Sequence, residues 1–130
     1  MRENRQETGE WGELQAERFL VKNRSMQVLD RRWRQGHGEL DLILRQGSIM
    51  VFVEVRVRTG EGPVLATYQS IGKSKWKVLR KTALAYLRHS MWRPEAIRFD
   101  VVGIRRTYGG ELIDLTHWEN VGVFGNRFRF

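Results

Sequence analysis

Two apolar stretches carry one acid each, and little more than a tight turn separates them. Residues 39–45 read ELDLILR and residues 48–58 read SIMVFVEVRVR. Both alternate with the period of a strand, and the Gln46-Gly47 turn predicts that they pair as a hairpin. In the first, Leu40, Leu42 and Leu44 are expected on one face, with Asp41 and Ile43 on the other. In the second, Val51, Val53, Val55 and Val57 share a face, while Met50, Phe52, Glu54, Arg56 and Arg58 share the opposite one. Asp41 and Glu54 therefore fall side by side on adjacent strands. A carboxylate set among residues this apolar is costly to bury alone, so it needs a partner or a ligand. Two acids at this spacing suit a hard cation: Mg²⁺ takes one or two carboxylates and completes its shell with water and substrate phosphate. Ion pairs with Arg32, Arg34, Arg56 or Arg58 are the structural alternative.

The rest of the chain reads as one unit. Residues 7–22 have helical spacing, with Thr8 as the expected N-cap and acids crowding the first turns. Residues 26–34 read as a strand and 35–38 as a turn. Residues 59–70 read as a loop, 71–88 as a second helix, and 96–104 and 111–116 as strands; 117–130 form an aromatic and basic tail with no assignment. The order αβββαββ, with apolar stripes on both helices, predicts an α/β fold: a mixed β-sheet flanked by helices. The 130 residues suffice for one domain and are too few for two. No apolar run is long enough to span a bilayer, the N-terminus lacks a secretory pattern, and there is no cysteine, which together suggest a cytoplasmic protein.

Charge points to a partner. Lys and Arg number 23 against 15 Asp and Glu, a formal net charge of +8. A small basic domain attracts polyanions, and nucleic acid is the commonest large one in the cytosol. The basic residues are dispersed rather than forming one polybasic run, which argues against a membrane surface. On the second helix, Lys73, Lys77, Arg80, Lys81 and Arg88 fall on one face, able to track a phosphate backbone or simply to solubilise. The other face holds Ile71, Lys75, Val78, Leu79, Thr82 and Tyr86. Lys75 thus sits inside an apolar stripe, where a lysine has a task or snorkels out. On the first helix, Glu13 shares a face with Ala16 and Leu20 and points toward the sheet, or lies at its solvated edge. Trp11 and Trp33 are expected in the core. Exposed tryptophans and the tail would instead mark an interface, with nucleic acid or with a second copy in a homodimer. Asp100 is expected in a structural ion pair with Arg98 or Arg105, and His37 as a solvated turn residue.

Several motifs recur together: Gly12-Glu13 with Ala16, Gly38-Glu39-Leu40-Asp41-Leu42-Ile43, Val51-Phe52-Val53-Glu54-Val55-Arg56, Lys75 with Leu79 and Ala83, and Arg98-Phe99-Asp100-Val101-Val102. In order and spacing they resemble the YraN family, a widespread group of small bacterial proteins. That family looks like a branch of the restriction-endonuclease-like fold, the PD-(D/E)XK nucleases, closest in pattern to Holliday-junction resolvases. The resemblance implies an αβββαβ core and a nuclease acting on DNA, branched or single-stranded. It implies Asp41 and Glu54 as ligands of Mg²⁺ or Mn²⁺, Glu13 as an auxiliary acid, and the residue two after Glu54 as the catalytic cation. Here that residue is Arg56 where the wider pattern has lysine, and Leu40 replaces the proline before the aspartate. Arginine stays protonated and cannot act as a general base, though it can orient a phosphate. Lys75 could supply the missing amine, Gln69 could orient water or phosphate, and Arg58, Lys73, Lys77, Arg80 and Lys81 would contact the backbone. The same change motivates a second expectation, a nucleic-acid-binding module that kept the fold and lost turnover.

Overall fold

A computed structural model describes residues 4–122. The chain runs α1 (Arg5–Arg24), β1 (Gln27–Gln35), β2 (Gly38–Gln46), β3 (Ile49–Thr59), α2 (Leu65–Gln69), α3 (Lys73–His89), β4 (Ala96–Arg106) and β5 (Leu112–Trp118). The strands form one sheet in the order β1-β2-β3-β4-β5. Only β3 and β4 are parallel, because the segment between them crosses over through α2 and α3. The other neighbours are antiparallel. This is the mixed α/β sheet flanked by helices that the hydrophobic periods predict.

The alternation along the strands sorts the core into two layers. Leu42, Leu44, Val51, Val53, Val102 and Ile104 meet Ala16 and Leu20 of α1. Leu40, Ile43, Met50, Phe52, Phe99 and Val101 meet Leu79 and Ala83 of α3. Each large side chain so buried contributes about 1.5–3 kcal/mol relative to exposure. Trp11 packs against the first layer; Trp33, Trp76, Trp92 and Trp118 pack against the second. All are part-buried, in keeping with core use rather than a displayed aromatic patch.

Several local expectations are corrected. The N-cap of α1 is Asn4, whose side chain accepts from the N–H groups of Gln6 and Glu7 at 3.0 and 3.2 Å. Thr8 lies one turn inside, its hydroxyl donating to the Asn4 carbonyl. The segment read as loop between 59 and 70 contains the short α2. Val78 is an exposed edge residue of α3 rather than part of its buried stripe, while Ala83 and Ala85 are buried. The strand β2 does not keep one face throughout: Leu40 faces α3, whereas Leu42 and Leu44 face α1. The β1–β2 register shifts between Val28 and Asp30, and the change of face coincides with a second irregularity at Arg32. Arg32 adopts φ +49°, a left-handed conformation unusual for a non-glycine residue. The regular pairs Arg31↔Leu42 and Trp33↔Leu40 flank it, leaving Arg32 and Asp41 out of the ladder between them. His117 and Trp118, first residues of the unassigned tail, complete β5; the stretch 123–130 lies outside the described residues. Among the described residues no helix is long and apolar enough to cross a membrane.

Candidate functional site

The two acids meet where the sheet forks. The β2–β3 ladder runs from Gln46↔Ile49 to Leu42↔Val53 and stops there, one position short of Asp41 and Glu54. In place of the next ladder bond, Asp41 Oδ2 accepts the backbone N–H of Val55 at 2.8 Å. Asp41 and Glu54 interact carboxyl to carboxyl. Burial, the Glu54 charge and that carboxyl–carboxyl contact push Asp41 well above the usual aspartate range; the Val55 N–H opposes them only in part. Among the described residues no Lys or Arg forms an ion pair with Asp41.

Glu54 is buried, at 4% exposure, and reaches toward α3. Its Oε2 is 3.2 Å from Arg56 Nη2 and 3.8 Å from Lys75 Nζ. The alternative ion-pair expectation therefore holds for Glu54 and Arg56, and not for Asp41. Arg56 keeps a second feature: among the described residues its buried Nε has no hydrogen-bond partner, an orphaned donor beside the carboxylates. Buried donors are rarely left unsatisfied, so this N–H suits an acceptor supplied by a ligand or water.

On the opposite side, α1 brings Glu13 over Asp41. Gly12 sets that approach, since a Cβ there would overlap Val57 Cγ2 of β3. Glu13 lines contiguous recesses with Asp41, of about 320 Å³ toward Arg31 and Glu17 and about 450 Å³ toward Arg5, Arg56 and Thr59. Burial and the Asp41 charge raise its pKa, against the hydrogen bond and charge of Arg32. Arg32 Nε sits 2.9 Å from Glu13 Oε2, and its Nη1 sits 3.4 Å from Glu10. The strained conformation of Arg32 thus aims a guanidinium at the acids of α1, which its neighbours' alternation could not reveal.

The remaining residues disperse. Arg58 is exposed and its Nε donates to the Glu61 carbonyl at 2.9 Å. Lys73, Lys77, Arg80 and Lys81 are exposed on α3. Gln69 is exposed at the end of α2, and no hydrogen bond ties it to the carboxylates among the described residues. Asp100 belongs to a separate structural cluster. It is fully buried and takes Arg98 Nε and Nη2 at 2.9 and 3.0 Å, His117 Nε2 at 2.7 Å and the Asn120 N–H at 2.9 Å. Arg105 pairs instead with Asp114.

The site's chemistry can be tested against a divalent cation. Among the described residues no three His, Asp or Glu side chains are grouped to hold a metal. The donor set is a pair of carboxylates. That pair fits Mg²⁺ or Mn²⁺, which complete their shell with water and phosphate oxygen, and it does not fit a closed structural metal site.

A family model for the uncharacterised protein family UPF0102 matches residues 12–104. The chain is similar to a UPF0102 protein of Pelotomaculum thermopropionicum, 38% identical over 92% of this chain and 98% of that one. It is 38% identical to a UPF0102 protein of Roseiflexus castenholzii, over 84% and 87% of the two chains. With one from Alkalilimnicola ehrlichii it shares 42% identity over 81% and 79%. The matched span runs from Gly12, through the Asp41–Glu54 fork, to Ile104, and the chain belongs to the UPF0102 family.

Proposed function

We propose that this is a metal-dependent nuclease-like protein acting on DNA, with branched or single-stranded DNA as the substrate form. One observation carries the reading: two carboxylates converge at a fork in the sheet, and no Lys or Arg among the described residues is ion-paired with Asp41. A buried acid pair without full compensation is a cost that a structural role does not require. The resemblance to the restriction-endonuclease-like nucleases supports the same reading. Asp41 and Glu54 would hold Mg²⁺ or Mn²⁺, which would supply a Lewis acid for a phosphodiester and lower the pKa of water.

The chain's own groups divide the remaining work. Arg56 Nε, desolvated and unpartnered, donates to a phosphate oxygen and fixes its orientation. Lys75, already beside Glu54, adds a second positive charge on the α3 side. Glu13 accepts a hydrogen bond from water in the recess above Asp41. Arg58, Lys73, Lys77, Arg80 and Lys81 hold the flanking backbone. Calorimetric titration with Mg²⁺ and Mn²⁺, paired with cleavage assays on single-stranded, duplex and branched DNA, tests the proposal. Metal heat and cleavage, both abolished by Asp41→Asn, support it; the absence of both heat and cleavage overturns it.

A second reading has its own observation. Arg56 stands where the wider nucleases carry lysine and is engaged with Glu54 at 3.2 Å. A permanently charged guanidinium cannot take a proton, and a site held this way would bind nucleic acid without turnover. Under that reading binding weakens steeply with salt, and Asp41→Asn leaves it unchanged or slightly stronger.

A further inference from the structure

A second recess lies away from the carboxylates, between the β1–β2 turn and the outer face of α3. Its volume is about 350 Å³. Lys81, Arg88 and His37 stand around it, and Val78 and Ala85 form part of its wall. It exists because the turn is pressed onto the helix: Gly38 approaches Thr82 so closely that any Cβ would overlap the Thr82 hydroxyl.

Its charge distinguishes it from the recesses around Asp41. Those are lined by acids, with Glu10, Glu13 and Glu17 among them. Among the described residues no carboxylate lines this one. Lys81 and Arg88 are exposed, and neither is ion-paired among the described residues. Arg31, Arg34 and Arg105, by contrast, are each tied to a carboxylate. Unspent cations beside an apolar wall suit a ligand that is both anionic and flat-faced. The position matches too. Lys75 and Lys81 are six residues apart on α3, about 9 Å along its axis though on different faces of it, and Gly38 of the recess lies on β2, the strand that carries Asp41. The axial separation is a span of roughly two to three nucleotides at ~3.4 Å each.

We infer that the Lys81–Arg88–His37 recess is a second nucleic-acid subsite, which takes one nucleotide unit of a strand whose backbone also passes the Asp41–Glu54 fork. The phosphate sits on Lys81 and Arg88. The base lies against Val78 and Ala85, with the His37 ring at its edge. The inference rests on the nucleic-acid reading above and extends it to a place where no cleavage occurs.

The test is fluorescence anisotropy with labelled single-stranded and duplex oligonucleotides, in EDTA so that metal and turnover play no part. The full chain is compared with Lys81→Glu/Arg88→Glu and with Lys22→Glu, an exposed lysine near the end of α1. Thermal melting checks that each variant is folded. The inference expects at least tenfold weaker binding for the double variant, and less than twofold for Lys22→Glu. It also expects a salt slope smaller by about one, for the single phosphate that Lys81 and Arg88 hold together. His37→Ala is expected to weaken the single strand by about threefold. Equal losses per charge at Lys22 and in the recess would overturn the subsite while leaving nucleic-acid binding intact. Wild-type chain that binds neither oligonucleotide would overturn the nucleic-acid reading itself, and the subsite with it. Binding to phosphatidylserine vesicles with no oligonucleotide binding would do the same in favour of a membrane surface.

Discussion

Asp41 Oδ2 accepts the Val55 N–H at 2.8 Å, standing in for a strand partner at the point where β2 and β3 separate. One side chain thus does two things. It satisfies a backbone donor that the fork would leave open, and it carries a charge into a place already occupied by Glu54. The first role needs only an oxygen; the second needs an ionised carboxylate. A substitution can separate them.

Asp41→Asn keeps an amide oxygen for the Val55 N–H and removes the repulsion with Glu54. The folded chain is expected to gain about 1–2 kcal/mol, the scale of relieving an uncompensated charge. Melting should rise on the order of 5 °C. Heat from Mg²⁺ or Mn²⁺ should disappear at the same time. A variant that melts lower than the parent would show that the acid pair stabilises the fold, contrary to the site proposed here.

The pH dependence of that gain follows from the direction of the Asp41 shift. Its folded pKa is raised, so the folded state binds the proton more tightly than the unfolded chain. Below the unfolded value, about 3.9, both states are protonated and the penalty vanishes. As pH rises from there through the folded pKa, the penalty grows to its full size. Chemical denaturation of the parent and Asp41→Asn should therefore converge at low pH and separate as pH increases. A constant gap across pH would place the stabilisation elsewhere.

Asp100 behaves oppositely. Burial alone would raise its pKa, but hydrogen bonds from His117, Arg98 and the Asn120 N–H outweigh it and lower the value. Its contribution is present above the unfolded pKa and is lost as pH falls through the folded one. Asp100→Asn leaves the Arg98 guanidinium, 13% exposed, without its charge partner. Breaking a buried pair from one side costs about 3–5 kcal/mol. A urea midpoint moved by less than one kcal/mol equivalent would mean that Gln46, which accepts from Arg98 Nη1 at 2.9 Å, compensates unaided.

What could be read from the residues depended on period. The valines of β3 have a strict two-residue repeat, so their face, and that of Phe52 opposite, followed directly. The hairpin placed Asp41 and Glu54 together for the same reason. Leu40 breaks the pattern opposite a left-handed Arg32, and an arginine gives no local signal for that conformation as glycine or asparagine would. Thr8 stands closer than Asn4 to the helix's acidic turns, yet capping depends on where the backbone first turns helical, which is at Arg5. Helical phase puts Lys75 in the apolar stripe of α3, working there or snorkelling out; its ammonium lies 3.8 Å from Glu54 with the side chain 41% exposed. The Arg56 Nε orphan is a matter of packing that no spacing encodes.

Arg32 offers the last separation of backbone from side chain. Its φ of +49° costs on the order of 1 kcal/mol in a residue with a full side chain. Asparagine enters that conformation more readily. Its ion pairs with Glu13 and Glu10 involve a side chain 45% exposed, where such pairs are worth about 0–1 kcal/mol after solvent screening. Arg32→Asn is therefore expected to change stability by no more than about 1 kcal/mol, with relief of strain offsetting the lost pairs. Glu13 answers differently. It loses the group that opposes burial and Asp41, so its pKa should rise further, which carboxyl NMR titration of labelled glutamate can follow. The upward move should be absent in Arg32→Lys if the shorter ammonium still reaches Glu13. Arg32→Asn with a strongly lowered melting point and an unmoved Glu13 would mean that the guanidinium braces α1 against β1 rather than holding the acid above Asp41.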